Sequence, residues 1–377
     1  MFLPLVASLF LYQCKESKDI STIPIVHVQN TAETNHSFVE DLEITGLSVL
    51  ASPSNELVRS IDNVLFDDHH LYVVDADTDF HALYVYDESG KFVRKIGNYS
   101  ETAAESYTDI SGVCIHDGTV SILSSGNRKI LNYDTQGKLL SEITTGVIGD
   151  ALERDDEGNY YVYNEHVILP VSENYSIVVF DKSGNLISRQ MPFDKGKNNW
   201  GSGFSGFMIK NNGQILCSPV YSDTIFAIHP KNNEPYVEFD FGAGSIPTHL
   251  KNKKISGFEV DPYSFLNEYV AVGGNHVLFE YQNQSRICHG AYNMSTGAMT
   301  QWSRDNILAK LLLNGSVIHK EKDEFAVILR SEQIKGFLQQ NNINEAELDR
   351  FYPGLGAKIL SAAGNNQPAV IYFRFKN

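Results

Sequence analysis

The chain has only four cysteines in 377 residues, and no two form a Cys-x-x-Cys pair. Cys114, Cys217 and Cys288 lie far apart, each inside a strand-like run. That spacing excludes a disulfide framework and leaves three buried free thiols as the expectation. There is no His-Glu-x-x-His and no Gly-x-Ser-x-Gly, so neither the zinc-protease helix nor the nucleophile elbow is present. Cations are scarce: 30 Lys and Arg stand against 46 Asp and Glu, for a net charge of −16. A phosphate backbone repels such a surface, so nucleic acid is not an expected partner. The apolar run Met1–Gln13 falls short of the about 20 residues that a membrane-spanning helix needs. No motif in the chain fixes a chemistry by itself.

What the chain does have is a repeated turn. An apolar run ends at Asp87, Gly90 follows three residues later, and a second alternating run begins at Phe92. Asp bonds its own backbone two residues on, and Gly accepts a positive φ, so this reads as a β-hairpin with a four-residue loop. The same hairpin returns at Asp134 with Gly137 and at Asp181 with Gly184, each step being 47 residues. His229 holds the Asp position of a fourth repeat. Asn293 holds that of a fifth, displaced by an insertion within residues 242–265. Four short strands in about 45 residues is the arithmetic of a propeller blade.

The sequence therefore predicts an all-β fold, a six-bladed β-propeller of four-stranded blades spanning residues 20–377. The sixth repeat begins near Gly315 and is interrupted by a helical insertion at about residues 331–352. Ser331 is placed to cap its first helix, Asn344 with Glu347 to form a capping box for the second, and Pro353-Gly354 to end it. Residues 369–375 supply the chain's last strand and leave that blade one strand short. The N-terminal strand at 42–50 is expected to complete it, which ties the two ends of the chain together. A further strand is expected at residues 23–28.

Leu71-Tyr-Val-Val-Asp75, followed by Leu83-Tyr-Val-Tyr-Asp-Glu-Ser-Gly-Lys-Phe92 and Ile96-Gly97, resembles an NHL-type repeat. The apolar start stops at Cys14, with Gln13 where lipoprotein signals carry a small residue. With six repeats and a spare N-terminal strand, the chain resembles the six-bladed β-propeller lipoproteins of Bacteroidetes envelopes. The resemblance implies residues 1–19 as a signal, anchor and spacer, with Cys14 as the lipidated residue. It implies a location at the bacterial cell envelope and contact with a membrane through the lipid anchor only. It brings no pattern of catalytic residues.

Candidate chemistry is therefore read from topology. Gly201-Ser-Gly-Phe-Ser-Gly206 has the letters of a dinucleotide loop but lacks the strand before it and the helix after it, so it reads as a loop between blades. Asp77 and Asp79 begin like a calcium loop. Phe80 stands where its Gly is needed, and Tyr86 where its bidentate Glu belongs. An EF-hand is excluded, and a looser calcium site there is the only cofactor expectation. Ligand sites in propellers collect where variable loops surround the channel mouth. That places His81, Arg128, His166 and Trp200 as candidate ligand-binding residues. The expected role is a non-enzymatic binding or scaffold module for a glycan, peptide or partner protein. The competing expectation is a hydrolase or lyase whose metal or acid–base residues come singly from several blades.

Overall fold

The structure is a computed structural model. It describes residues 23–376 apart from 29–37, 54–57, 59, 78–79, 103–105, 200–204, 252, 256 and 305. Strands β1 (Ile25–His27) and β2 (Leu42–Val49) come first. Blade 1 follows as β3 (Ile61–Asp67), β4 (His70–Asp77), β5 (Phe80–Asp87) and β6 (Phe92–Ile96). Blade 2 is β7 (Gly112–His116), β8 (Thr119–Ser124), β9 (Lys129–Asp134) and β10 (Leu139–Thr144). Blade 3 is β11 (Ala151–Arg154), β12 (Tyr160–Tyr163), β13 (Tyr175–Phe180) and β14 (Leu186–Pro192). Blade 4 is β15 (Phe207–Asn211), β16 (Gln214–Ser218), β17 (Thr224–Ile228) and β18 (Asn233–Asp240). Blade 5 is β19 (Ser264–Gly273), β20 (His276–Asn283), β21 (Arg286–Asn293) and β22 (Ala298–Trp302). Blade 6 is β23 (Ser316–Glu321), β24 (Glu324–Leu329) and β25 (Ala369–Phe375), with β2 as its fourth strand.

The predicted closure is present. β2 runs antiparallel to β25, from Leu42 opposite Phe375 to Val49 opposite Ala369. The innermost strands β3, β7, β11, β15, β19 and β23 neighbour one another in a closed ring. One pairing has no counterpart in the sequence reading: β1 adds parallel to β18 as a fifth strand on blade 4, with Ile25 opposite Glu238.

Middle strands read as unbroken apolar runs because both faces of each blade are covered. Ala82, Tyr84 and Tyr86 of β5 pack into the cluster shared with blade 6, while Leu83 and Val85 join the cluster shared with blade 2. This is the two-residue period of a strand, with a neighbour on each side.

The Asp-x-x-Gly turns hold neighbouring blades together. Asp87 Oδ1 accepts from the N–H groups of Ser89 (2.9 Å) and Lys91 (3.1 Å). Asp134 and Asp181 repeat the pattern. A Cβ on Gly90 would lie 2.2 Å from the Val49 carbonyl oxygen, and one on Gly184 would lie 2.4 Å from Ile143. Both partners belong to the outermost strand of the preceding blade. These glycines serve both the positive φ and the close approach.

The helical insertion is longer than the sequence suggests. Helices Ser331–Asn341 and Glu345–Asp349 are followed by a third, Leu355–Gly364. Asn344 and Glu347 form the expected capping box. Ser331 is already inside the first helix, and Arg330 holds the cap position. These helices, with Ile307–Leu312 before them, share one hydrophobic cluster with blades 5 and 6.

Candidate functional site

The ring of inner strands encloses a channel cavity of about 410 Å³, lined from all six blades. The crossings between blades and the loops joining second to third strands gather at the end where the inner strands start. Turns joining first to second strands surround the other end. Asp62, Ser111 and Asp150 mark the first end, and Glu153, Lys210 and His319 lie deeper along the wall.

His81 lies beside that upper end, near the start of β5. Its Nδ1 accepts the Ile110 N–H at 3.3 Å, and its ring centroid is 5.6 Å from that of Tyr99. It braces the crossing from blade 1 to blade 2 and is near enough to Asp62 to influence its charge. Arg128 is exposed on the loop between β8 and β9, in the left-handed region at φ +54°. Its carbonyl accepts the Thr145 N–H at 3.0 Å. His166 is only 5% exposed, with its ring edge-on to Phe193 at 5.0 Å and its Nδ1 3.7 Å from Glu165. The three residues therefore differ: a brace, an open cation and a buried ring. None of them lines the channel wall itself. Trp200, Asp79 and Cys14 lie outside the described residues, as does the side chain of Asp77.

The channel's own charges sit on or beside the inner strands. Burial pushes the Asp62 carboxyl up, against the opposing influence of Arg330 and His81. The Arg330 guanidinium is held by two bonds to the Ile61 carbonyl, at 3.0 and 2.8 Å. Asp150 is open to channel water yet crowded by protein; burial and then the Glu165 carboxylate raise it to about 6. Glu153 is raised further, to about 8, by burial that Lys210 only partly offsets. Displaced carboxyl pKa values in a cleft are a mark of functional sites and also of structural charge networks.

The glycine-rich loop is explained by packing at its last residue. A Cβ on Gly206 would come 2.4 Å from the Tyr163 hydroxyl and 2.5 Å from the Ser218 carbonyl. Among the described residues, no three His, Cys, Asp or Glu side chains converge as ligands to one metal would. No described helix is long and apolar enough to cross a membrane.

A family model described as "Domain of unknown function (DUF4934)" matches residues 50–356. Among solved structures, a Bacteroides fragilis protein described as exported superposes with a TM-score of 0.75 at 17% identity, covering 94% of this chain and 100% of its own. A Bacteroides vulgatus member of the DUF4221 family gives a TM-score of 0.51 at 10% identity, covering 89% of this chain and 98% of its own. At these identities the likeness is one of fold. No curated protein matches the chain.

Proposed function

The chain belongs to the DUF4934 family, and from that premise we propose that it is a non-enzymatic binding propeller of the bacterial envelope. Its ligand is a glycan, a peptide or a segment of a partner protein, taken at the upper mouth of the channel. The observation that carries this reading is the division of labour between two sets of turns. The Asp87, Asp134 and Asp181 turns are nearly alike and are spent on packing against the preceding blade. The loops at the upper mouth vary in length and chemistry and open onto the channel cavity. Variable loops on a rigid scaffold are where recognition residues are usually placed.

Once a ligand is found by titrating glycans and peptides, Arg128→Ala and Trp200→Ala should each weaken it by more than ~1 kcal/mol. Asp134→Ala, provided it folds, should bind as wild type does. Normal binding by both mouth variants would defeat the reading.

The lipid tether at Cys14 is part of the same proposal, as is the NHL-like character of the repeats. A bacterial exported protein of the same fold supports the location. Replacing Cys14 with Ala should move the protein from the membrane fraction to the soluble one. Unchanged fractionation would remove the tether from the proposal.

A hydrolase or lyase reading has one observation in its favour. Asp150 and Glu153 lie on one channel wall with carboxyls raised into the range useful for proton transfer.

A further inference from the structure

We infer that Tyr269 is a stacking platform at the upper mouth of the channel and that the ligand it takes is a neutral glycan. The inference rests on the upper mouth being the ligand site, and it names a residue of that site and the ligand's chemistry. Its ground is a break in the inner strand of blade 5. β19 pairs with β20 residue for residue except at one place, where Leu266 stands opposite Tyr281 and Val270 opposite Phe279. Residues 267–269 therefore share Glu280 as their one counterpart. Extra residues in a strand bend it and re-aim a side chain. The one left open here is Tyr269, at 39% exposure. The other exposed large apolar side chains among the described residues lie on strands away from the axis or on a helix. Tyr269 is thus out of place unless something covers its ring in use.

Its position in the ring says where the ring opens. The next two residues, Val270 and Ala271, line the cavity, and β19 descends from the upper end. The inner strands β15 and β23 stand on either side and β20 lies behind. An exposed side chain at this point opens onto the channel or its mouth. The bulge is also fastened from behind. Asn267 Nδ2 donates to Glu280 Oε1 at 2.6 Å, and Glu280 Oε2 lies 3.2 Å from His289 Nε2. Asn267 and His289 are buried, so this polar network ties three strands together out of contact with solvent. Such a network fixes one conformation, which suits a platform. The wall below gives the ligand's chemistry. It carries two carboxyls, Asp62 and Asp150, and two ammonium groups, Lys210 and Lys320. Glu153, its carboxyl raised to about 8, holds its proton at neutral pH. The formal charges nearly cancel, so a ligand with net charge of either sign gains little there. An aromatic face beside mixed donors and acceptors fits an uncharged ligand rich in hydroxyls. A sugar ring lays its C–H groups on the negative face of a tyrosine, and its hydroxyls both donate and accept.

The test is calorimetric titration of the full chain with maltohexaose, cellohexaose and chitohexaose acetylated on every amine, and with a neutral pentapeptide carrying a central phenylalanine. At least one of the sugars should bind, with an affinity that salt leaves unchanged. Tyr269→Ala should weaken that sugar about tenfold or more, with thermal unfolding unaltered, and Tyr269→Phe should stay within about threefold of wild type because the ring is kept. Failure of all three sugars to bind overturns the inference. Binding that Tyr269→Ala leaves untouched also overturns it. If the pentapeptide binds instead and is weakened by Arg128→Ala and Trp200→Ala, the upper mouth survives as the ligand site and only the glycan falls. If a sugar binds but is indifferent to Tyr269→Ala, Arg128→Ala and Trp200→Ala alike, the upper mouth falls as well.

Discussion

A chain beginning after Leu50 is expected to fail as a stable monomer, although it keeps blades 1, 2, 3 and 5 whole and takes only the added strand β1 from blade 4. The loss is confined to β2 and what precedes it. β2 supplies the outermost strand of blade 6 and buries Leu42, Ile44 and Leu47 to 8% exposure or less. Burying each such side chain stabilises by ~1.5–3 kcal/mol. Three of them approach the whole net stability of a typical domain, about 5–15 kcal/mol. The truncation also uncovers the β25 edge, a row of unpaired backbone groups that invites association with other chains. It removes the Val49 carbonyl against which Gly90 of blade 1 is packed, so the seam between the last and first blades loosens as well. Urea unfolding and size-exclusion chromatography check this. A cooperative monomer with a near wild-type midpoint would show that β2 is an ornament. Leu47→Asp is the point-mutation version: a charge forced into the same cluster should cost roughly 3–5 kcal/mol.

The fold was legible because its signals are local. Asp87, Asp134 and Asp181 recur at one spacing, and each forms a turn that depends on a few adjacent residues. The role of β2 followed from counting strands. What was missed is non-local or turns on orientation. β1 finds its partner β18 more than two hundred residues away, and three residues of parallel pairing leave no pattern in the sequence. The third helix of the insertion was hidden by Pro353-Gly354. These residues do end one segment, but Gly354, at φ +78°, also caps the next. In the site, burial is not legible from loop position: His166 lies in a long loop, yet it is buried with its ring edge-on to Phe193. Asp62, Asp150 and Glu153 lie in or beside inner strands, where an isolated acid looks like a solvated face. Which inner-strand side chains meet the lumen is decided by closure of the whole ring, and no segment of sequence records that. A signal was nevertheless present: acids recur at the starts of first strands, at Asp62 in blade 1 and Asp150 in blade 3.

Glu153→Gln should change how stability depends on pH more than any other single substitution on the channel wall. The Glu153 carboxyl is raised from its ordinary value of 4.5 to about 8 in the folded chain, chiefly by burial. Between those two values the folded state holds a proton that the unfolded state has released. Unfolding free energy therefore falls as pH rises across that window. The stabilising contribution is complete below about 4.5 and is lost as pH climbs through about 8. Full linkage over that span would be near 5 kcal/mol at 1.36 kcal/mol per unit. Glu153 borders channel water and lies near Lys210, so the effect should be smaller, about 1–3 kcal/mol. Gln keeps the shape and the neutral polarity but cannot ionise. The variant should match wild type near pH 5 and exceed it near pH 9 by that amount in urea unfolding. Asp150→Asn should act in the same direction over a lower window, ending near 6. Parallel curves for wild type and Glu153→Gln would mean that Glu153 titrates normally.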